Sequence, residues 1–502
     1  MNARKLIPIV LCALPPVLLA GCKPATRPAA TRSAGQRPNV VFILVDTLRA
    51  DRLGCYGDQR RLAPLFDEVA AEGVLFERVI AQSPWTLPSV ASYFCGLYPT
   101  VHKVTSYEAA LRSARSAGSV RYFSDQFTTL AEILRDHGYQ TAGFSANPFV
   151  TAKFGFAQGF EHFDSSFASN DTRGDVVNQA ALRWLEQRDP QRPFFLYLHY
   201  MDVHDPYKAD AKYVEPLIAA VEQRAGKRKL TQAERKRHVR YFAKSARAYQ
   251  TNPRHRALFA YADYWVARYD SGVGQINEFL DVLRRRLQGM GLWDDAFVIL
   301  VSDHGEALGE HHIWAHGLSA HQDQLHVPLI LRWPGHLPAG RRIAQTVRLF
   351  DLMPTLLEEI GLPVPGGLQA RSLAPLIRGE GGQWPPALAE AVKEAPQNKV
   401  IVQGPWKLLA WLDRNRFELY NLDDDPHEQT NLADHYPDRV AQLRALLDAQ
   451  LAENQRLGRG IKATSREISA QERRRFQALG YLEEDHPPAS QPQSQPHEPP
   501  PD

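Results

Sequence analysis

Three apolar runs, each ending abruptly in residues able to do chemistry, constrain this chain most. Val40–Val45 runs into Asp46, Phe194–Leu198 into His199, Asp202 and His204, and Ala296–Val301 into Ser302, Asp303 and His304. An unbroken apolar run of this length has no polar face to turn to water. It reads as a strand buried on both faces, as in a parallel sheet covered by helices. Amphipathic segments lie between the runs, at 129–137 before Gly138 and at 264–285. The alternation predicts an α/β fold with a doubly wound, mostly parallel sheet. Sites in such sheets form outside the carboxyl ends of the strands, where the three polar clusters fall.

The ends of the chain set its organisation. Arg4 and Lys5 precede an apolar run, Leu6–Ala20, too short for a stable membrane span. The run closes on Leu19-Ala-Gly-Cys22, which resembles the lipobox of bacterial lipoproteins. This reading makes 1–21 a lipoprotein signal peptide, Cys22 the lipidated residue and 22–36 a flexible tether rich in Ala, Pro, Thr and Ser. The protein would then sit in the bacterial cell envelope, lipid-anchored and facing the periplasm or exterior; an ordinary signal or short anchor is the alternative. Residues 37–384 read as the catalytic domain and 385–484 as a smaller C-terminal subdomain. In the latter, Trp406–Leu409 and Phe417–Tyr420 suggest an antiparallel sheet, and Val440, Leu443, Leu446, Leu447 and Leu451 one packed helix. Residues 485–502, mostly Pro, Gln and Ser, cannot bury a core and are predicted to be disordered.

A net charge of +3 over 502 residues argues against nucleic acid as the main partner. Charge is concentrated instead in a helical insertion at 208–256, with 14 Lys or Arg against 4 Asp or Glu. It is either a solvated face or a basic flap for an anionic polymer or lipid headgroup. Of the four cysteines, only Cys55 and Cys95 stay in the fold, as two buried thiols or as one disulfide.

Asp46, Asp303 and His304 are presented from two different strand ends, a donor set suited to a divalent cation bound mainly by oxygen. Their surroundings are more specific than the residues themselves. The stretch Arg37-Pro-Asn-Val-Val-Phe-Ile-Leu-Val-Asp-Thr-Leu-Arg-Ala-Asp51, the run from His199 to Tyr207, the segment Ser302-Asp-His-Gly-Glu306 continuing to Gly317, and the stretch from Glu418 to Pro426 follow one another in order. Together they resemble the sulfatase family of the alkaline phosphatase superfamily. The resemblance implies an ester hydrolase (sulfuric or phosphoric) with one divalent cation, Ca, Mg or Mn, with Zn open, acting on an anionic ester. It also assigns roles. Asp46, Thr86, Asp303 and His304 would surround the cation, Thr86, His204 and His316 would be catalytic, and Thr47, Asn147, His204 and His316 would bind substrate.

The family's nucleophile segment reads Cys or Ser, any residue, Pro, Ser, Arg, and its first residue becomes formylglycine. Here the aligned residues are Thr86-Leu-Pro-Ser-Val90. Threonine cannot be converted, and Val90 removes the supporting arginine. Pro88 fits the first turn of a helix, so Thr86 also reads as a helix cap. A hydroxyl at a helix start faces backbone N–H groups that favour an oxyanion, and a metal can make it a nucleophile. Formylglycine hydrate expels sulfate by collapsing to an aldehyde. Threonine has one hydroxyl and lacks that exit, which favours phosphate or phosphonate esters over sulfate esters. A sulfuric ester hydrolase without formylglycine, an envelope phosphotransferase and an inactive anion-binding protein are the rival readings. His316 stands where many sulfatases place a lysine, and Thr47 where they often place a second aspartate. Asn147 follows a strand, as an anion donor or a turn former.

Overall fold

The computed structural model describes residues 37–105, 119–224, 231, 262–317, 319–391, 398–467 and 469–472. The signal, Cys22, the tether, most of the basic insertion and the tail from 485 lie outside them.

The main sheet has nine strands. In chain order these are β1 (Val40–Val45), β2 (Val74–Ile80), β3 (Gln140–Ser145), β4 (His162–Asp164), β5 (Phe194–Tyr200), β6 (Phe297–Val301), β7 (His326–Val327), β8 (Leu329–Arg332) and β9 (Arg341–Arg348). Their spatial order is β7-β2-β8-β6-β1-β5-β3-β4, with β9 also on β2. Strands β6, β1, β5, β3 and β4 run parallel to one another, while β8 is antiparallel to both β6 and β2. The three apolar runs are thus the three adjacent central strands β6, β1 and β5.

Side-chain alternation sends each strand into two cores. On β1, Val40, Phe42 and Leu44 join one apolar cluster, and Val41, Ile43 and Val45 the other. The first face is covered by α2 (Thr86–Cys95) and α3 (Leu130–Asp136), through Leu87, Val90, Phe94, Leu130 and Leu134. The second is covered by α1 (Pro64–Ala71), α4 (Gly174–Gln187) and α6 (Ala262–Gly289), through Phe66, Val69, Val177, Leu185, Ile276 and Leu280. Helix α5 (Ala211–Arg224) packs on α6 with a small apolar cluster of its own. Thr129 starts α3 with a reciprocal capping box to Glu132. Among the described residues no helix is long and apolar enough to cross a membrane.

A second, antiparallel sheet holds β10 (Ala387–Ala391), β11 (Asn398–Gln403), β12 (Trp406–Trp411) and β13 (Arg416–Asn421) in sequential order, followed by α7 (Pro437–Leu457). Leu388, Val400, Leu408, Leu443 and Leu447 join the same cluster as Leu44 and Leu87, so this sheet completes one face of the main core. Of the residues expected on the packed side of α7, Leu443 and Leu447 are fully buried, whereas Val440, Leu446 and Leu451 pack at its margin. Cys95 is buried, Cys55 is half-buried, and both are free thiols.

Candidate active site

Four adjacent parallel strands deliver the site from their carboxyl ends. Asp46 follows β1, Asn147 lies just past β3, His199 is the penultimate residue of β5, and Asp303 and His304 follow β6. Parallel register sets Leu44 beside both His199 and Val301, and Ser145 beside His199, so the polar residues emerge at one level. Local hydrogen bonds hold that level. Asp46 N–H donates to the Tyr200 carbonyl at 3.0 Å and Ala146 N–H to the His199 carbonyl at 3.0 Å. The Ser302 hydroxyl donates to the His304 carbonyl at 2.8 Å and accepts from Leu48 N–H at 2.9 Å, tying the two strand-end loops together. At Gly305 a Cβ would lie 2.2 Å from the Asp323 carbonyl oxygen, which explains glycine in the Asp-His-Gly run.

Asp46, Thr86, Asp303 and His304 converge in the fully buried interior of this cluster. Asp46 Oδ2 accepts from Asn147 Nδ2 at 2.7 Å and from His199 Nε2 at 2.9 Å, and faces Thr86 Oγ1 at 3.4 Å. Among the described residues, Oδ1 of the same carboxylate has no hydrogen-bond donor, and neither has Asp303 Oδ1 or Oδ2. His304 Nε2 lies 3.6 Å from Asp46 Oδ1, 3.5 Å from Asp303 Oδ2 and 3.1 Å from Thr86 Oγ1. Its Nδ1 sits 2.9 Å from the Gly305 carbonyl, which fixes the proton on Nδ1 and leaves the Nε2 lone pair facing the carboxylates.

Buried carboxylate oxygens without donors are costly, and two such groups side by side repel. Burial would raise the Asp46 pKa, but the His199 hydrogen bond and the nearby His204 and His304 rings hold it well below the ordinary range. Burial and the Asp46 charge push Asp303 well above it. A divalent cation between them removes both penalties. The donor set of two carboxylates, one imidazole and a hydroxyl suits such an ion. Asp46, Asp303 and His304 offer ligand atoms that all lie within 4.8 Å of one another.

Thr86 opens α2, but it is not a cap. The N-cap position is Trp85, no side chain caps the helix, and the Thr86 hydroxyl turns toward Asp46 and His304. Asn147 both turns the chain and serves the site: its Oδ1 accepts from Phe149 N–H at 2.8 Å while its amide holds Asp46. Thr47 is fully buried and donates its hydroxyl to the Asp46 carbonyl at 2.7 Å. His204 and His316 complete one wall, with ring centroids 5.0 Å apart, and His316 lies 4.6 Å from the His304 ring.

Sequence reasoning missed the residues that hold these groups. His199 connects Asp46 to a buried chain, its Nδ1 accepting from the Tyr197 hydroxyl at 3.0 Å, with the Tyr93 hydroxyl 2.8 Å further on. Glu306 Oε2 faces His316 Nδ1 at 2.9 Å, and burial pushes the Glu306 carboxyl up to about 7. The signal for His199 was present, since a histidine inside an apolar strand needs a polar partner at its end. Arg49 pairs with Asp51 at 2.7 Å and Glu310 at 2.8 Å, linking the first strand's motif to the segment that carries His316. Asp202, just past β5, accepts from Gln275 Nε2 at 2.9 Å.

The sulfatase family model matches residues 38–362, about two thirds of the chain. The chain belongs to the sulfatase family. A second model, described as the C-terminal part of N-sulphoglucosamine sulphohydrolase, matches residues 309–456. Among curated relatives, the Delta 4,5-hexuronate-2-O-sulfatase of Bacteroides thetaiotaomicron is 25% identical over 480 residues, covering 90% of this chain and 95% of its own. The multifunctional alkaline phosphatase superfamily protein PehA of Trinickia caryophylli is 26% identical over 484 residues, covering 79% and 91%. Of solved structures, one bound to its substrate D-glucosamine-2-N,6-O-disulfate aligns with a TM-score of 0.65 at 21% identity, covering 84% and 98%. The phosphonate monoester hydrolase of Agrobacterium radiobacter aligns with a TM-score of 0.64 at 21% identity, covering 83% and 96%. This sulfatase-family protein is therefore an ester hydrolase, and members of its family bind a divalent metal.

Proposed function

We propose that this protein cleaves a phosphate or phosphonate ester through Thr86 as the nucleophile, with one divalent cation. The observation that carries this reading is the position of Thr86 Oγ1, 3.1 Å from His304 Nε2 and 3.4 Å from Asp46 Oδ2, beside three carboxylate oxygens without donors. Asp46, Asp303 and His304 would hold the cation with Thr86. When bound, the cation acidifies the hydroxyl and neutralises charge on the transferred group. Ca, Mg or Mn fits the carboxylate-rich donors, and the imidazole leaves Zn open.

The chain's own residues do the rest. Asn147 and His199 keep Asp46 Oδ2 occupied, so the carboxylate presents Oδ1 inward. The Thr86 hydroxyl gives up its proton to solvent, Oγ1 attacks, the oxygen–phosphorus bond to Thr86 forms and the ester bond breaks. His204 or His316 gives the departing oxygen its proton, and Glu306 keeps the His316 ring turned to the wall where that oxygen leaves. Water then attacks phosphorus, losing its proton to the histidine that protonated the departing oxygen, and the bond to Thr86 Oγ1 breaks. The single hydroxyl of threonine has no aldehyde to collapse to, which supports phosphorus over sulfur.

A second reading, a sulfuric ester hydrolase working without formylglycine, draws on sulfated-sugar relatives. The test is a panel of aryl sulfates, phosphate monoesters, phosphate diesters and phosphonates with each cation, followed by mass spectrometry of acid-quenched enzyme. Turnover of a phosphorus ester and a phosphoryl adduct on Thr86 are expected. Turnover of sulfates alone would replace the first reading with the second, and no turnover of any ester would support an anion-binding protein.

A further inference from the structure

Another ligand cluster lies where the segment bearing His316 meets the C-terminal sheet. His311, His321 and Glu428 offer ligand atoms that all fall within 4.8 Å of one another. His321 and Glu428 are buried, His311 half-buried. They line a cleft of about 340 Å³ with Glu418 and Tyr420, and His311 and Glu428 also line an adjoining cavity of about 230 Å³ with Asp323.

The charges here do not balance. Arg416 pairs with Glu418 at 2.5 Å and Lys407 with Glu428 at 2.5 Å, while Arg49 is held by Asp51 and Glu310. Asp323, 9% exposed, then keeps both carboxylate oxygens without a hydrogen-bond donor among the described residues. His321 Nε2, equally without one, lies 3.6 Å from Glu418 Oε2, too far for a hydrogen bond. A buried carboxylate with no donor and an imidazole nitrogen with no hydrogen-bond partner in the same cluster are what a cation resolves.

We propose that His311, His321 and Glu428 form a second metal site, for a Zn-class divalent ion, with Asp323 as a nearby supporting charge. Two imidazoles and a carboxylate are donors of that class, distinct from the oxygen-rich cluster at Asp46. Glu428 accepts from Gln322 N–H at 2.6 Å through Oε2 and pairs with Lys407 through Oε1, and a carboxylate with about four lone-pair sites retains room for an ion. The His311 and His321 rings now stack, with centroids 3.8 Å apart and planes 11° from parallel. In-plane lone pairs of parallel rings do not converge, so His311, the half-exposed member, must turn to meet the ion while His321 and Glu428 stay in place. His311 and His321 flank His316 in sequence. The ion would thus staple the His316 segment to the turn after β13.

The experiment is elemental analysis and thermal melting of the full protein, stripped with chelator, desalted and reloaded with Zn²⁺. It uses wild type, Asp303→Asn, His311→Ala and the Asp303→Asn/His311→Ala pair, with circular dichroism as the fold control. His311→Ala is expected to lower bound Zn²⁺ by one per chain in both backgrounds and to cut the Zn²⁺-dependent rise in Tm. Asp303→Asn alone should keep that ion, which separates failure at this site from failure at the first. Glu428→Gln, which preserves shape and the Gln322 contact, should repeat the loss. An unchanged Zn²⁺ count in His311→Ala and Glu428→Gln, or none bound in Asp303→Asn, overturns the site.

Discussion

Replacing Thr86 by alanine separates a nucleophile from a structural residue, because the structure gives both effects a size. The hydroxyl makes two contacts, to His304 Nε2 at 3.1 Å and, more weakly, to Asp46 Oδ2 at 3.4 Å, and it caps no helix. Asp46 Oδ2 keeps Asn147 and His199 after the change, so no buried charge is stranded. One buried hydrogen bond contributes about 1 kcal/mol net, and no helix-cap loss adds to it. Stability should therefore fall by about 1 kcal/mol or less. Removal of a covalent nucleophile costs several orders of magnitude in kcat, so turnover should drop by at least about 10³-fold. The assay is steady-state kinetics on the best ester from the panel at saturating cation, beside thermal melting and metal analysis. Thr86→Ser keeps the hydroxyl and should stay within roughly 10-fold of wild type. Turnover by Thr86→Ala within that same margin, with metal content intact, would refute the nucleophile assignment.

Chelation should lower activity and thermal stability together, since an ion held only by the folded state stabilises it by mass action, about 2.7 kcal/mol at a hundred times Kd; Asp303→Asn should reproduce the activity loss and weaken Mn²⁺ binding in a calorimetric titration, whereas unaltered binding would remove Asp303 from the site. Asp202 supplies a pH test away from the metal. Burial raises its pKa from 3.8 to about 6, so its ionisation costs stability that is absent below pH 4 and grows to about 3 kcal/mol above pH 6. Asp202→Asn should accordingly be more stable than wild type at pH 8 and equal to it near pH 4 in urea unfolding, and a gain confined to acid pH would contradict this sign. For the proposed lipid anchor, Cys22→Ser should move the protein from the membrane to the soluble fraction on cell fractionation, and continued membrane association would indicate an uncut N-terminal segment.

The sequence by itself determined the sheet and the polar residues gathered at its carboxyl edge. Val40–Val45, Phe194–Leu198 and Phe297–Val301 carry no polar side chain apart from the Tyr197 hydroxyl, so only a position between two layers suits them. Residues at their carboxyl ends must then share one edge. Asp46, Asp303 and His304 were legible for that reason, whereas Thr86 was placed only by the resemblance of its segment to the sulfatase family's nucleophile segment.

Only the tertiary structure decided how those groups are held. By sequence Thr86 also read as a helix cap, and α2 instead uses Trp85 as its N-cap, which leaves the Thr86 hydroxyl facing Asp46 and His304. Asn147 could be a turn former or an anion donor; its Oδ1 does turn the chain, and its amide nitrogen is given to Asp46, because the two ends of the amide point to different partners. The His199 link to Asp46 spans 153 residues of sequence and the Arg49 link to Glu310 spans 261. Pairings of that range depend on which strands lie side by side. Local pattern reports whether a side chain is buried; strand order decides which partner it meets there.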